Sequence, residues 1–405
     1  MLSGCRKFLL LSACAMLLGV ATAGSAIACG KDSAGLALPP GFCASAFAEG
    51  LGHARHLSVA PNGDVYVNTW SSRSTGYKNA PGGYIVALRD ANGDGRADII
   101  QRLGAVHQQG RAGGGTGIAV SGGALYAEDA GKIVRYRLRA GALLPQGAPE
   151  IILSGLPIEG GHIVHSFAIA PDGSLFVNSG SLTNACQEQD RTPGSPGIPV
   201  CPELELRAGI WLYNANKTGQ VFSPAERFAT GTRNAIALAL QPEGLLYSTL
   251  QSRDTAEVFA PVQAVDDFGW PYCDFAADHG DYVLAPEYGG DGTRQGECIA
   301  LKHHRVAFPP HWAPSAMTFY TGSAFPQKYR GGAFVAFHSI VAFVPFEERS
   351  ALGGYEVFAT GFRPAGVAVG PDGALYVSDD VEGRIWKITY EGAPCPRCSS
   401  GSGRS

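Results

Sequence analysis

Along the chain one pattern of apolar and polar positions keeps returning: an apolar strand, a tight turn containing glycine, then an alternating apolar strand. It reads Pro61-Asn-Gly-Asp-Val-Tyr-Val67, Ser121-Gly-Gly-Ala-Leu-Tyr-Ala127 and Pro171-Asp-Gly-Ser-Leu-Phe-Val177. It returns as Pro242-Glu-Gly-Leu-Leu-Tyr-Ser248 and Pro371-Asp-Gly-Ala-Leu-Tyr-Val377, with a weaker copy at Arg330-Gly-Gly-Ala-Phe-Val-Ala336. Short apolar stretches such as Gly117-Ile-Ala-Val120, Phe167-Ala-Ile-Ala170 and Gly366-Val-Ala-Val369 precede the turns. Strand, Asp-Gly or Gly-Gly turn, strand is the sequence signature of a β-hairpin. Six copies of one hairpin, separated by roughly 40 to 90 residues, predict a radial array of small sheets. The expected fold is all-β: a six-bladed β-propeller of four-stranded antiparallel blades. A β-sandwich, or a pair of them, would not explain one hairpin recurring along the whole chain.

Composition supports this reading and narrows it. Among 405 residues there are 55 glycines and 26 prolines, about one residue in five. Turn formers at this frequency would interrupt helices every few residues. Hydrophobic residues make up 45% and aromatics 10%, ample for a buried core and too much for a disordered chain. A net charge of −4 argues against a nucleic-acid partner.

The first 28 residues read as a secretory signal. Arg6 and Lys7 form the basic region, Phe8 to Val20 the apolar stretch, and Ala21-Thr-Ala23 and Ala26-Ile-Ala28 the small-residue cleavage sites. No later stretch reaches the apolar length of a membrane span, so the mature chain is expected to carry no transmembrane segment and to be periplasmic or secreted. Ala26-Ile-Ala-Cys29 departs from a lipoprotein box, because alanine stands at its first position. Residues 29–391 are then expected to form one propeller domain, and 392–405 a flexible Gly/Ser/Pro/Cys tail. Eight cysteines remain after cleavage, an even number in an exported chain, which suggests disulfides. Sequence neighbours would pair as 29–43, 186–201, 273–298 and 395–398, although spacing alone does not fix connectivity.

A propeller fold does not name a chemistry; its loops must. Gly160-Gly161-His162-Ile-Val-His165 leads into a strand, and an imidazole there can act as a general base. Gly231-Thr-Arg233-Asn234 also leads into a strand, and its guanidinium suits a carboxylate or a developing oxyanion. Gln251-Ser-Arg253-Asp254, followed by Asp266-Asp267, is an oxygen-rich stretch of the kind that binds Ca2+. Gly361-Phe-Arg363-Pro364 places another cation just before a strand. Each has a bland alternative, a turn histidine or a bracing arginine. Asp90, Asn92, Asp94 and Asp98 follow the first half of a calcium-loop pattern, but Gln101 stands where the bidentate glutamate would be.

Gly-Gly-His162, Gly-Thr-Arg233-Asn234, Asp267-Phe-Gly-Trp-Pro-Tyr272, Phe362-Arg363-Pro-Ala-Gly366 and Tyr376-Val-Ser-Asp-Asp380, taken in order, resemble the soluble PQQ-dependent sugar dehydrogenases. These are the glucose/sorbosone dehydrogenases, and the likeness is closer to the sorbosone branch. The resemblance implies pyrroloquinoline quinone (PQQ) over the channel with Ca2+ beneath it. It also implies a small sugar or aldehyde substrate and a separate electron acceptor. His162 would take the hydroxyl proton, while Arg233, with Asn234, would face a quinone oxygen. Arg363 would lie near the cofactor's carboxylates and Asp254 in the calcium loop. Two departures stand against this. Phe337-His338-Ser339 runs straight into a strand where the family carries His-Gly-Ser-Trp-Asn-Arg, and Gln108 and Gln109 are out of register near Gly110. They motivate an alternative: a non-catalytic propeller binding a carbohydrate or protein partner. A metal-dependent lactonase would need an axial Glu/Asn/Asp cluster that the sequence does not assemble.

Overall fold

Each repeated hairpin forms the two inner strands of a blade. The computed structural model describes residues 35–71, 82–106, 113–301 and 305–392. The expected signal sequence, Cys29, Gln108, Gln109, Cys395, Cys398 and nearly all of the C-terminal tail lie outside the described residues. Blade one contains Ala54–Val59, Val65–Ser71, Ile85–Arg89 and Ile99–Leu103. Blade two contains Ile118–Ser121, Ala124–Glu128, Ile133–Arg137 and Glu150–Ser154, with Gln220–Val221 added in parallel at its outer edge. Blade three contains Phe167–Ile169, Ser174–Ser179, Gly209–Asn214 and Arg227–Thr230, and blade four Ala237–Leu240, Leu246–Leu250, Glu257–Val262 and Val306–Phe308. Blade five contains Pro314–Phe319, Ala333–Phe337, Ile340–Val344 and Glu356–Thr360. Blade six takes Pro364–Val369, Leu375–Asp379 and Arg384–Tyr390 from the end of the chain and its outermost strand, Phe42–Ala48, from the beginning. The fold is the expected six-bladed propeller.

Alternation explains why the blades stack. The second strands are mostly apolar, and Ala124–Glu128, Leu246–Leu250 and Ala333–Phe337 are buried along their whole length, because each lies between two neighbouring sheets. The core is therefore distributed between blades rather than gathered at one centre. Between blades five and six, Phe42 meets Phe325, Tyr329 and Phe358 edge-on at 4.7, 5.3 and 5.0 Å. The innermost strands touch one another in a closed ring around the axis.

The repeated turns all sit where the innermost strands end. At the first, Ala60 N donates to Asp64 O at 2.8 Å, and Gly63 adopts φ +89°, which a side chain would strain. The opposite, or upper, face carries the segments that lead into the innermost strands and the turns after the second strands. His162, Arg233, Arg363 and the loop after Leu250 all belong to this upper face.

A polar side chain one residue beyond most of the repeated motifs ties each blade to the next. Asn68 donates to Gly117 O at 2.9 Å, Glu128 accepts from His165 N at 2.8 Å, and Ser378 donates to Arg55 O at 2.6 Å. Asn178 accepts from Ala235 N at 2.9 Å and donates to Asn234 Oδ1 at 3.0 Å. These four side chains are essentially inaccessible to solvent. At the fourth and fifth positions Thr249 reaches Met317 Sδ at 3.9 Å, and Phe337 packs on Phe308 and Trp312.

Two excursions rise to the upper face. Residues 180–208 follow the second strand of blade three and are stapled by Cys186–Cys201. Residues 263–301 leave the third strand of blade four, climb past Thr230 and carry a hairpin of Cys273–Ala276 and Asp281–Leu284, with Cys273 joined to Cys298. Both pairings match the sequence expectation, and Cys43 is disulfide-bonded as well.

Replacing Asn178 by Ala should lower the unfolding free energy by about 3 kcal/mol, since it orphans the buried Ala235 N–H and frees Asn234. Urea titration monitored by tryptophan fluorescence checks this; a loss below about 1 kcal/mol would show that the inter-blade bond carries little.

Candidate functional site

Three glycines set the position of His162. Gly160 has φ +96°, and Gly161 N donates to Leu182 O at 2.7 Å, so the glycine pair docks on residue 182. The space at the imidazole comes instead from Gly180: a Cβ there would lie 2.5 Å from His162 Cβ. His162 Nδ1 lies 3.0 Å from both Ser181 O and Ser181 Oγ. The Ser181 hydroxyl donates to Thr183 O at 2.6 Å, so it too offers a lone pair to the ring. A carbonyl can only accept, which makes Nδ1 the protonated nitrogen and leaves Nε2 with a free lone pair. Burial, reinforced by Arg233, Arg191 and Arg207, pulls the His162 pKa down to about 4. At neutral pH this histidine is an uncharged base.

His165 is different. It is buried between Asn178 O and Pro157 O, each 2.9 Å from a ring nitrogen, and is spent on the fold. Of the two histidines in the Gly-Gly-His-Ile-Val-His segment, His162 alone has a nitrogen without a protein acceptor among the described residues.

Arg233 is fixed on two sides. Its Nη2 donates to Asn184 Oδ1 at 2.8 Å, Nε to Asn184 O at 3.3 Å, and Nη1 to Ser252 O at 3.1 Å. All these acceptors are neutral, and burial lowers its pKa to about 10, so it stays charged at neutral pH. Ser181 joins the two groups: its N donates to Arg233 O at 2.8 Å, while its carbonyl holds His162. Asn234 is buried, accepting from Asn178 and donating to Gln251 Oε1 at 2.9 Å, so both ends of its amide are occupied.

Arg363 stands across the axis, exposed, lining a cavity of roughly 270 Å³ with His53, Arg55, Trp70, Ser315, His338 and Asp380. His53 Nδ1 and Arg55 Nη1 both engage the Asp380 carboxylate, Arg55 at 3.2 Å. The Trp70 ring stacks on His53 at 5.6 Å and lies beneath the Arg55 guanidinium at 5.8 Å. The Arg55 Nε is buried without a hydrogen-bond partner.

The calcium candidates are not brought together with these groups. The Asp254 carboxylate is exposed and ion-paired with Arg253 Nε at 3.3 Å, and Arg253 also binds Asp274 and Glu287. Asp90, Asn92, Asp94 and Asp98 lie between the third and fourth strands of blade one, at the face opposite His162. There Asp90 accepts from Gly93 N and Gly95 N at 2.7 and 2.9 Å, and Asp98 from Ala91 N at 2.7 Å, an Asx-turn network that needs no cation to close. The buried carboxylate of Glu128 is also spoken for, accepting from Thr116 N, Gly117 N and His165 N.

Sequence reasoning missed Ser181, Asn184, Arg55, Trp70 and the His53–Asp380 pair. Asp380 ends a segment already singled out; the others carry no local signature.

Residues 126–387 match the family described as Glucose / Sorbosone dehydrogenase. The chain belongs to that family, which spans both branches and does not separate the sorbosone from the glucose type. A search of the curated proteins finds no match. Among solved structures, the chain is similar to the holo PQQ domain of pyranose dehydrogenase from Coprinopsis cinerea: TM-score 0.69, 17% identity, covering 87% of this chain and 97% of that one. The calcium structure of Trichoderma reesei Carbohydrate-Active Enzymes Family AA12 gives 0.71, 15%, 91% and 99%. The PQQ-bound aldose sugar dehydrogenase of Streptomyces coelicolor gives 0.57, 21%, 87% and 99%. At these identities the likeness shows the fold.

The nitrogen of His162 that faces away from Ser181 should be unprotonated at pH 6. Long-range 1H–15N spectra assigned with His162→Gln should show a neutral Nδ1–H tautomer there; an imidazolium signal at pH 6 would contradict the geometry.

Proposed function

We propose that the protein is an exported oxidoreductase that oxidises a hydroxyl of a sugar or sugar aldehyde with PQQ as its cofactor, His162 acting as base. The observation that carries this is the pairing of a neutral, tautomer-fixed imidazole with a half-buried guanidinium satisfied only by neutral oxygens. Family membership and the PQQ named for two similar structures support the same reading.

The residues present fit a planar polycarboxylate. Arg233 touches no carboxylate, the Arg363 guanidinium has no hydrogen-bond or ion-pair partner among the described residues, and Arg55 keeps an orphaned buried Nε. These three cationic groups on the upper face would hold such a ligand, with Asn234 setting the backbone beside Arg233. When bound, PQQ supplies a two-electron acceptor for hydride. His162 Nε2 receives the hydroxyl proton as the C–H bond is lost, and Nδ1–H keeps its bond to Ser181 O throughout, so the imidazolium that forms remains oriented. Arg233, immobilised by Asn184 and Ser252, holds positive charge where negative charge grows and needs no rearrangement to do so. Substrate and a separate acceptor reach the open upper face. Ca2+ stays part of the proposal with Asp254, whose carboxylate pairs with Arg253, as its sequence candidate, and no step is derived through the metal.

The test is PQQ titration of purified protein with Ca2+ present, followed by sugar-dependent dye reduction. His162→Ala should retain PQQ binding and lose about 100- to 10,000-fold in kcat. Tight binding with turnover intact in that variant would remove His162 from the role of base. No absorbance change or thermal shift with PQQ would favour the non-catalytic carbohydrate- or protein-binding propeller.

A further inference from the structure

The loop after the second strand of blade five lacks the basic stretch that the sequence resemblance leads one to expect there, yet the cavity beside it is not short of cationic groups. His338 lines the 270 Å³ cavity from that loop, together with Arg363 and Arg55. Its main-chain N is fixed by Trp312 O at 3.0 Å, so the loop is held although the side chain is exposed. Charges around the cavity divide into two sets. Asp380 is consumed by His53 and Arg55, which leaves, among the described residues lining the cavity, Arg363 as a permanent cation outside that ion-pair group and His338 as a titratable one. The buried Arg55 Nε adds a donor without an acceptor. Trp70, stacked on His53, makes one wall aromatic. A small cavity with an aromatic wall, a free guanidinium and an orphan donor fits a carboxylate borne on a planar ring.

We propose that this cavity receives a carboxylate of the PQQ ring system, and that His338 takes up one proton from solvent as that carboxylate enters. His338 thereby supplies on demand the charge that a permanently basic side chain would supply in its place. This deepens the cofactor reading above and rests on it.

The groups facing His338 give the sign. Desolvation of the imidazole, and after it Arg55 and Arg363, oppose its protonation and outweigh Asp380, which favours it; its pKa therefore lies below that of a free histidine when the cavity contains no anion. His53 also faces the cavity but is bound to Asp380. An incoming carboxylate reverses the balance, so the bound form carries a proton that the free form lacks. Binding must then weaken as pH rises through the window between the two pKa values, by up to tenfold per pH unit.

Isothermal titration of the full-length protein with PQQ from pH 5.5 to 8, in buffers of differing ionisation enthalpy, reads this directly. The expected result is uptake of about one proton per PQQ near pH 7 and a dissociation constant that rises with pH. In His338→Gln both the uptake and the slope should vanish, while His338→Lys should bind with a flat profile, at least as tightly as the unaltered protein at pH 6. Uptake that persists in His338→Gln, or tight binding with no uptake in the unaltered protein, overturns the role of His338 and leaves the cofactor reading standing. Failure of PQQ to bind at any pH, in the unaltered protein and in His338→Lys alike, overturns both.

Discussion

The structure depends on buried polar bonds that cross from one blade to the next. A propeller has no central core, and apolar packing between sheets is non-directional: it fixes neither the rotation nor the height of one blade against its neighbour. Directional bonds do. Asn68, Glu128, Asn178 and Ser378 each reach from the second strand of one blade to backbone at the start of the next innermost strand. Because these side chains have no water to turn to, a blade that slips leaves a buried donor or acceptor unpaired. The same bonds end on the segments that carry the chemistry. Asn178 grips Asn234 and Ala235, immediately after Arg233, and Glu128 grips the main chain at His165, three residues after His162. Registry of the fold and placement of the site are therefore one requirement.

On the upper face the electrostatics follow from that placement. Burial first, and the nearby Arg233, Arg191 and Arg207 second, keep a proton off His162, so the base is held neutral beside the guanidinium of Arg233. Arg233 in turn is gripped by carbonyl and amide oxygens from two different loops, one of them stapled by Cys186–Cys201. A charge fixed in this way loses little freedom when a ligand arrives, which favours binding and leaves the geometry intact. Across the axis the pattern is different: Asp380 absorbs Arg55 and His53, and the remaining charge belongs to exposed groups.

Much of the architecture was legible because it is periodic. A turn that demands a positive-φ glycine, followed by an alternating apolar strand, leaves a strong local mark, and six of them in order define the array. His162 and Arg233 were legible for a related reason: each lies just before an innermost strand, in a short segment with glycines of its own. What escaped was non-local. Ser181 and Asn184 act through the bends of a long excursion, and no spacing rule brings residue 184 onto residue 233. Trp70, Arg55 and Asp380 meet only because the first and last blades are neighbours, a fact of ring closure invisible to any window along the chain. Asp254 shows the converse: its oxygen-rich stretch is visible in the sequence, but the ion pair its carboxylate makes with the adjacent Arg253 is not.

The outer strand of blade six has a bearing on how the chain acquires its shape. Phe42–Ala48 pairs with Arg384–Tyr390, and Glu49 binds Arg384 across 335 residues of sequence. During synthesis the first strand emerges long before its partner exists, and its hydrogen-bonding edge and Phe42 remain uncovered until the last blade is made. Ring formation is thus a late, all-or-none event with a large loop-closure cost, and five-sixths of a molecule is an open arc with two sticky ends. Truncation of either terminus reaches the same sheet. The chain is protected from aggregation, and its upper face completed, only when its two ends have met.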